Sequence, residues 1–344
     1  MTFGTAAHSV GDNMMPSRVP PLPELVYTPI ADWIEPNAVI VIKQDDAWRA
    51  ARARGLSWDI GIELDALVTT EEAFTRLAQR CRNMGDIIYA IGGRAAADAA
   101  KFVAKELQLP LICVPTALSA DAFFTSCSYV WRDGCPRAIE AIPPELVLLD
   151  LDLIAAAPAQ VRAASIVDVL SIATACYDWE LAESRGKNPP AERYQPRIAE
   201  VARGLLALAL DCAEAAGRGD PAGLQALVNV LAMEVQLRNL VGHSRFALGS
   251  EHHFAYCAEM LASAATWRGE IIPAPFTHGE LVGPGIILMA ERQGQDAQSL
   301  RRALDAAGVP MDGLPRDLIE STLRELPAYA RRHALSYGIV WEAP

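Results

Sequence analysis

From residue 38 to about 150 the chain alternates between two hydrophobic rhythms. Short β-branched or aliphatic runs, "AVIVI", "GIELDALV", "DIIYAI", "PLICVP" and "ELVLLDLD", are interleaved with "DDAWRAARARG", "TTEEAFTRLAQRCRNMG" and "AAADAAKFVAKEL", whose apolar positions recur at helical spacing. Strand-length runs alternating with amphipathic helices predict βαβ units and a mainly parallel sheet flanked by helices. After "AAAP", near residue 158, the strand pattern stops. Long Ala/Leu-rich stretches follow, clearest in "VRAASIVDVLSIATACYDWELAE" and "PRIAEVARGLLALALDCAEAAG", and predict an all-α remainder. The expected organisation is a flexible leader over 1–24, an α/β domain over 25–155 and a helical domain over 156–344. A cleft between the two halves is the expected place for chemistry.

Composition narrows the classes of function. With 344 residues, 51% of them hydrophobic, the chain can bury a core large enough for two domains. A formal net charge of -12, without a clustered Lys/Arg stripe, leaves no footprint for a nucleic acid. No uninterrupted apolar run reaches the ~20 residues needed to span a bilayer, and the N-terminus lacks a basic segment followed by an apolar one. The expectation is a cytoplasmic protein. Its seven cysteines are scattered without CxxC spacing, which suggests neither a disulfide framework nor a thiolate zinc site; they are expected to be reduced and mostly buried.

Two stretches carry candidate chemistry. In "IGGRAAAD" a strand runs through Gly92 and Gly93 into a helix, an arrangement that aims free backbone N–H groups at a phosphate. It is no GxGxxG fingerprint, and a plain strand-to-helix turn explains it equally well. Four of the six histidines, His243, His252, His253 and His278, fall between residues 243 and 278. Two imidazoles and one carboxylate can hold a divalent cation with a coordination position left open, and Asp168, lodged in the apolar "ASIVDVLSIATA", is an available acid. By spacing alone a metal site and a satisfied buried aspartate with unrelated histidines both stand open.

Taken in order, "GG" followed by Asp98 and Lys101, "PTALSAD", Asp168 with "DW" at 178–179, "GSEHHF" and "HGELVG" resemble the sn-glycerol-1-phosphate dehydrogenases. These belong with the iron-containing alcohol dehydrogenases, glycerol dehydrogenases and dehydroquinate synthases. The similarity runs from about residue 38 to the terminal "YARRHALSYGIV". It implies a nucleotide-binding α/β domain, a helical metal-binding domain and a cleft between them, in a dehydroquinate synthase-like fold. Carried over position by position, it puts a divalent metal on Asp168, His252 and His278. It puts NAD or NADP against Gly92, Gly93, Arg94, Asp98, Thr116, Ser119 and Thr125, and the substrate against Asp121. Asp178 and Trp179 read as structural, and Lys101 as the partner in a solvated salt bridge.

The chain departs from that pattern at three positions. Arg94 replaces a third glycine of the turn and is expected either to crowd a pyrophosphate or to pair with it. Val167 replaces the glycine before the metal-binding aspartate. Tyr256 replaces a substrate-facing histidine; one helical turn beyond His252, its hydroxyl is expected on the same face and able to supply a proton. The implied reaction is NAD(P)H-linked reduction of a small hydroxyketone phosphate such as dihydroxyacetone phosphate. Zinc suits a His2Asp set, and iron or nickel accepts the same ligands. The alternatives are a metal- and NAD-dependent lyase or cyclase of the dehydroquinate synthase type and a noncatalytic relative. The expected partner is a phosphorylated polyol, with no nucleic acid and no membrane span, and a homodimer is left open.

Overall fold

The structure is a computed structural model and describes residues 19–265 and 276–342; most of the stretch read as a leader, residues 1–18, lies outside the described residues. The strands are β1 (Glu24–Tyr27), β2 (Val39–Lys43), β3 (Ile60–Asp65), β4 (Ile87–Gly92), β5 (Leu111–Pro115), β6 (Cys127–Arg132), β7 (Cys135–Glu140) and β8 (Leu146–Leu149). Six of them form one parallel sheet in the order β1-β8-β5-β4-β2-β3. The period-2 geometry of β2 explains its uninterrupted apolar run. Val39 and Val41 pack with Ile87, Tyr89, Ile91 and Trp48 on one face, while Ile40 and Ile42 pack with Ile88, Ala90, Leu64 and Phe74 on the other. Both faces are covered, and the one polar residue of the strand, Lys43 at its end, is paired with Asp45 and Asp65.

Helices α1 (Asp45–Ala53), α2 (Glu71–Cys81) and α3 (Arg94–Leu107) make the crossovers. Ala96, Ala97, Ala99 and Ala100 are fully buried, which lets α3 lie deep between the sheet and its neighbours. One of those neighbours is the antiparallel hairpin β6–β7, which the strand pattern did not predict. Its turn is Asp133-Gly134, with both residues at positive φ (53° and 77°), the geometry that matches the twist of paired strands.

The remainder is helical: α4 (Leu151–Ala155), α5 (Ala159–Arg162), α6 (Ile166–Leu170), α7 (Ile172–Ser184), α8 (Pro196–Arg218), α9 (Pro221–Val241), α10 (Ser250–Ala265), α11 (His278–Arg292), α12 (Ala297–Ala306) and α13 (Arg316–Arg332). The stretch read as one long helix over 161–183 is broken into α5, α6 and α7. The reason is a backbone pairing with the loop after β5: Leu118 N–H donates to the Arg162 carbonyl (2.9 Å) and Ser165 N–H donates to the Leu118 carbonyl (2.8 Å). Those bonds tie the two halves of the molecule together at the cleft. Among the described residues no helix is long and apolar enough to cross a membrane. All seven cysteines are unpaired, six of them buried.

Helices α10 and α11 carry two of the candidate ligands, and a glycine sets their separation. A Cβ on Gly285 of α11 would lie 2.6 Å from the Glu251 carbonyl oxygen of α10 and 3.2 Å from the Phe254 ring, so the helix axes must part to admit it. Gly285→Ala is therefore expected to destabilise the protein by about 1–3 kcal/mol through overpacking. Urea unfolding of the variant checks this; a loss below about 0.5 kcal/mol would show that the contact is not limiting.

Candidate active site

Three segments distant in sequence bring the chemistry together. Asp168 lies in the middle of the short helix α6, His252 in the first turn of α10, and His278 is the first residue of α11. The start of α11 is fixed by a capping box: Thr277 Oγ1 accepts from Glu280 N–H (3.3 Å), and Glu280 Oε2 accepts from Thr277 N–H (2.6 Å). The donor atoms of Asp168, His252 and His278 all lie within 4.8 Å of one another. Asp168 Oδ1 is 2.8 Å from His278 Nε2 and 3.7 Å from His252 Nε2. Ligands held about 2.0–2.2 Å from a tetrahedral cation stand about 3.4 Å apart, so this set fits one with small adjustments.

The surroundings match that fit. Glu251 Oε1 is 2.9 Å from His252 Nδ1, which directs the other ring nitrogen, Nε2, toward Asp168. Glu251 is itself held by the Gly249 N–H (2.7 Å) and the Thr174 hydroxyl (2.8 Å). Burial opposes the charge on Asp168, but His278 and His252 outweigh it and hold the carboxyl well below the usual range. Burial likewise pushes His252 down, and its hydrogen bonds to Asp168 and Glu251 reverse that, raising it to about 9. Two buried carboxylates thus make a field that favours positive charge at the point where the ligand atoms meet. Asp168 Oδ2 accepts from the Asp121 N–H (3.2 Å), which anchors the loop after β5 to the same centre.

A cleft of about 940 Å³ opens above these ligands. Its walls include Gly93, Arg94, Asp98, Thr116 and Ser119 from the α/β half, and Tyr256 and His278 from the helical half. A volume at the upper end of the range for ligand pockets suits a large ligand. At the turn, a Cβ on Gly93 would meet Ser119 Oγ at 2.8 Å, and Gly92 has a φ of +143°, which favours glycine. Gln44 Oε1 accepts the Gly93 N–H at 2.6 Å, so an oxygen acceptor already sits at the mouth of the turn. A phosphate oxygen accepting that N–H would take the place held by the Gln44 side chain.

Other candidate residues land in different places. Asp121, with Arg238, Glu234 and Tyr129, lines the small pocket around the three ligands. Asp121 is ion-paired to Arg238, which also holds Glu234 at 2.8 Å. Thr125 is buried away from the cleft walls; its hydroxyl accepts from Lys101 Nζ at 2.7 Å. The salt bridge read for Lys101 forms, with Asp98 at 2.9 Å, but it is not solvated, because α3 is sandwiched between the sheet and β6–β7 and leaves the Lys101 side chain fully buried. Asp178 accepts from the backbone of Ser250 and Ile339 (both 2.7 Å) and Trp179 is buried in the core. His243 packs edge-on against Trp179 and His253 is near Ser336, so neither joins the ligand set.

Several site residues had not been singled out in the sequence. Glu251 sits inside the "GSEHHF" signature and could have been read as the partner of its neighbour. Glu234 and Arg238 are an i, i+4 pair of opposite charge on the otherwise apolar "LAMEVQLRNL", the same signal that drew attention to Asp168. Tyr129 lies on the unpredicted hairpin, and Gln44 has no distinguishing signal.

Comparison with known proteins fits this geometry. A model of the iron-containing alcohol dehydrogenases matches residues 39–158. The chain is 32% identical to the glycerol-1-phosphate dehydrogenase (NAD(P)+) of Sulfolobus acidocaldarius over 264 residues, 74% of this chain and 71% of that one. It is 30% identical to the enzyme of the same name from Methanosarcina barkeri over 248 residues, 72% of this chain and 66% of that one. The fold is that of a probable glycerol dehydrogenase from Sinorhizobium meliloti, with a TM-score of 0.67 and 19% identity over 93% of this chain and 92% of the other.

Two measurements address the site itself. Metal analysis of His278→Ala after dialysis against zinc is expected to show at least a tenfold loss of affinity, on the order found for removing groups that support a metal site; retention of stoichiometric zinc would remove His278 from the ligand set. The second concerns Glu234. Burial pushes its carboxyl up to about 8, with Arg238 opposing and Asp121 and Asp168 adding to the rise. The unfolded chain releases this proton near 4.5 and the folded one near 8, so the stability of the native state is full below pH 4.5 and declines as pH rises toward 8. In urea titrations across that window Glu234→Gln should flatten the decline, and an unchanged slope would assign it to other groups.

Proposed function

We propose, for a chain that belongs to the glycerol-1-phosphate dehydrogenase family of the iron-containing alcohol dehydrogenases, that its cleft interconverts a small polyol phosphate and the corresponding ketone with NAD(P)H. Glycerol 1-phosphate and dihydroxyacetone phosphate are the pair the reading favours. The observation that carries it is a shared cavity: His278, Tyr256, Tyr129 and Arg94 line both the small pocket of the three ligands and the larger cleft that begins at the glycine turn. Cation ligands and nucleotide turn therefore face one substrate-sized space.

The dinucleotide supplies or accepts a hydride, and a divalent cation, zinc by the chemistry of a His2Asp set, supplies Lewis-acid polarisation of the substrate oxygen. Asp168, His252 and His278 hold the cation. Gly93, Thr116 and Ser119 line the wall that would hold the dinucleotide, and Gly92 shapes the turn behind it, with the N-terminal end of α3 available to its phosphates. Asp121 receives a substrate hydroxyl, and Arg238 fixes its carboxylate in place. Reduction of a ketone needs one proton at oxygen for each hydride delivered to carbon. Tyr256 is the group that provides it: burial first, then Tyr129, pushes its phenol well above the ordinary value, so it carries its proton throughout the neutral range. The phenolate left after donation regains its proton from solvent before the next turnover, and the raised phenol keeps that uptake favourable through the neutral range.

The test is nicotinamide absorbance with zinc-loaded protein, dihydroxyacetone phosphate and NADH or NADPH. Stoichiometric oxidation of the nucleotide is expected, abolished by chelation; turnover of substrate without net loss of NAD(P)H would instead indicate a lyase or cyclase. Tyr256→Phe should lower kcat by about 100-fold, the lower end of what a positioned proton donor contributes, and leave zinc content intact. A variant with wild-type kcat and pH profile would transfer the proton role to water.

A further inference from the structure

We propose that Arg94 binds the anionic end of the substrate beside the cation ligands, and that it does not serve the phosphates of the dinucleotide. The inference rests on the dehydrogenase reading for the identity of the anion, a phosphate group, but the anion site itself is read from the geometry.

The direction of the side chain is the first argument. Arg94 opens α3 directly after Gly93, so its backbone belongs to the nucleotide turn. Its guanidinium leaves that turn. Nη1 reaches His278 Nδ1 at 3.3 Å, the guanidinium carbon stands 5.0 Å over the Tyr129 ring, and Nε is 3.5 Å from Asp98 Oδ2, one turn further along the helix. The contacts with His278 and Tyr129 draw the charge toward the cation ligands, and Asp98 steadies it from one turn along α3. The group lines the pocket that contains Asp168, His252 and His278.

Charge balance is the second. Arg238, which lines the same pocket, touches Asp121 and Glu234; burial keeps the proton on Glu234 up to about pH 8, so Asp121 is the ionised carboxylate that faces Arg238 at neutral pH. Arg94 has no carboxylate to itself: in direct contact it shares that of Asp98 with fully buried Lys101, one carboxylate for two cations. Glu259 lines the same cleft and its charge is felt at Arg94, although the two form no direct ion pair. The guanidinium of Arg94 is thus only partly matched by direct contacts where it lines the pocket of the three ligands.

Hydrogen-bond accounting is the third. A guanidinium has donors only, so the Arg94–His278 contact requires His278 Nδ1 to accept. An imidazole that gives its Nε2 lone pair to a cation carries its proton on Nδ1. With a cation on Nε2, His278 and Arg94 would present two N–H groups toward each other across 3.3 Å. Two converging donors call for an oxyanion between or beside them, and a phosphate oxygen satisfies both. An arginine in place of glycine thus converts part of the turn into a substrate contact.

The experiment uses zinc-loaded wild type, Arg94→Gln and Arg94→Lys. Calorimetric titration with inorganic phosphate, without nucleotide, is expected to show binding weakened by about 10–100-fold in Arg94→Gln, the range for losing a hydrogen bond between charged groups. Arg94→Lys should recover part of it, having the charge without the planar fork. The kcat/KM ratio of dihydroxyacetone phosphate to dihydroxyacetone should fall by a similar factor in Arg94→Gln, while the Kd values for NADH and NADPH change by less than about threefold. Weakened NADH or NADPH binding exceeding the loss for phosphate would overturn the proposal in favour of a dinucleotide contact. Equal losses of kcat/KM for the charged and uncharged ketones would overturn it in favour of a purely structural arginine. A wild type that binds phosphate through Arg94 but oxidises no NAD(P)H with either ketone keeps the anion site and discards the dehydrogenase reading.

Discussion

A single buried carboxylate, Asp168, organises the centre of this molecule. Its ionised form would be costly among the apolar side chains of α6, and each group that compensates it comes from a different part of the chain. His278 arrives on α11, His252 on α10, and the Asp121 N–H on the loop that follows β5. Satisfying one charge therefore fixes the meeting point of three helices and a sheet-end loop. The same electrostatics that make Asp168 tolerable also make the spot attractive to a divalent cation, so the requirement of folding and the requirement of the proposed chemistry coincide there.

Around that centre the remaining charges are held in pairs. Arg238 is shared by Asp121 and Glu234, Asp98 is shared by Lys101 and Arg94, and Glu251 braces His252 from behind. Such pairs add little net stability, since desolvation offsets much of their attraction, but they specify geometry. Asp121 is held at the small pocket by Arg238, and His252 presents Nε2 because Glu251 is close to Nδ1. The two tyrosines, Tyr129 and Tyr256, line the same pocket, and burial keeps their hydroxyls protonated.

The cleft shows how one substitution is absorbed. A third glycine at position 94 would leave the turn bare; the arginine that stands there finds Asp98 one turn down its own helix and the Tyr129 ring on the hairpin, and these set its direction. The hairpin β6–β7 is thus part of the site through Tyr129, although it contributes nothing to the main sheet.

The sequence by itself determined the elements whose environment is uniform along their length. The apolar runs of β2, β4 and β5 are covered on both faces, and α3 and α8 keep one periodicity from end to end, so local pattern and final structure agree. Ligand candidates were also legible, because an aspartate in an apolar helix and a cluster of histidines are conspicuous, and the resemblance of whole motifs to a known family ordered them. What only the tertiary structure decided depends on partners far away in the chain. The break between α5 and α6 follows from a backbone pairing with Leu118, and the burial of Lys101 from a hairpin packed over α3. Thr125 is drawn to Lys101 and so turns from the cleft, and Arg94 points to His278, which lies 184 residues away along the chain. Periodicity reports the average environment of a helix or strand; the direction of one polar side chain is set by the few atoms able to satisfy it, and folding alone brings those atoms within reach.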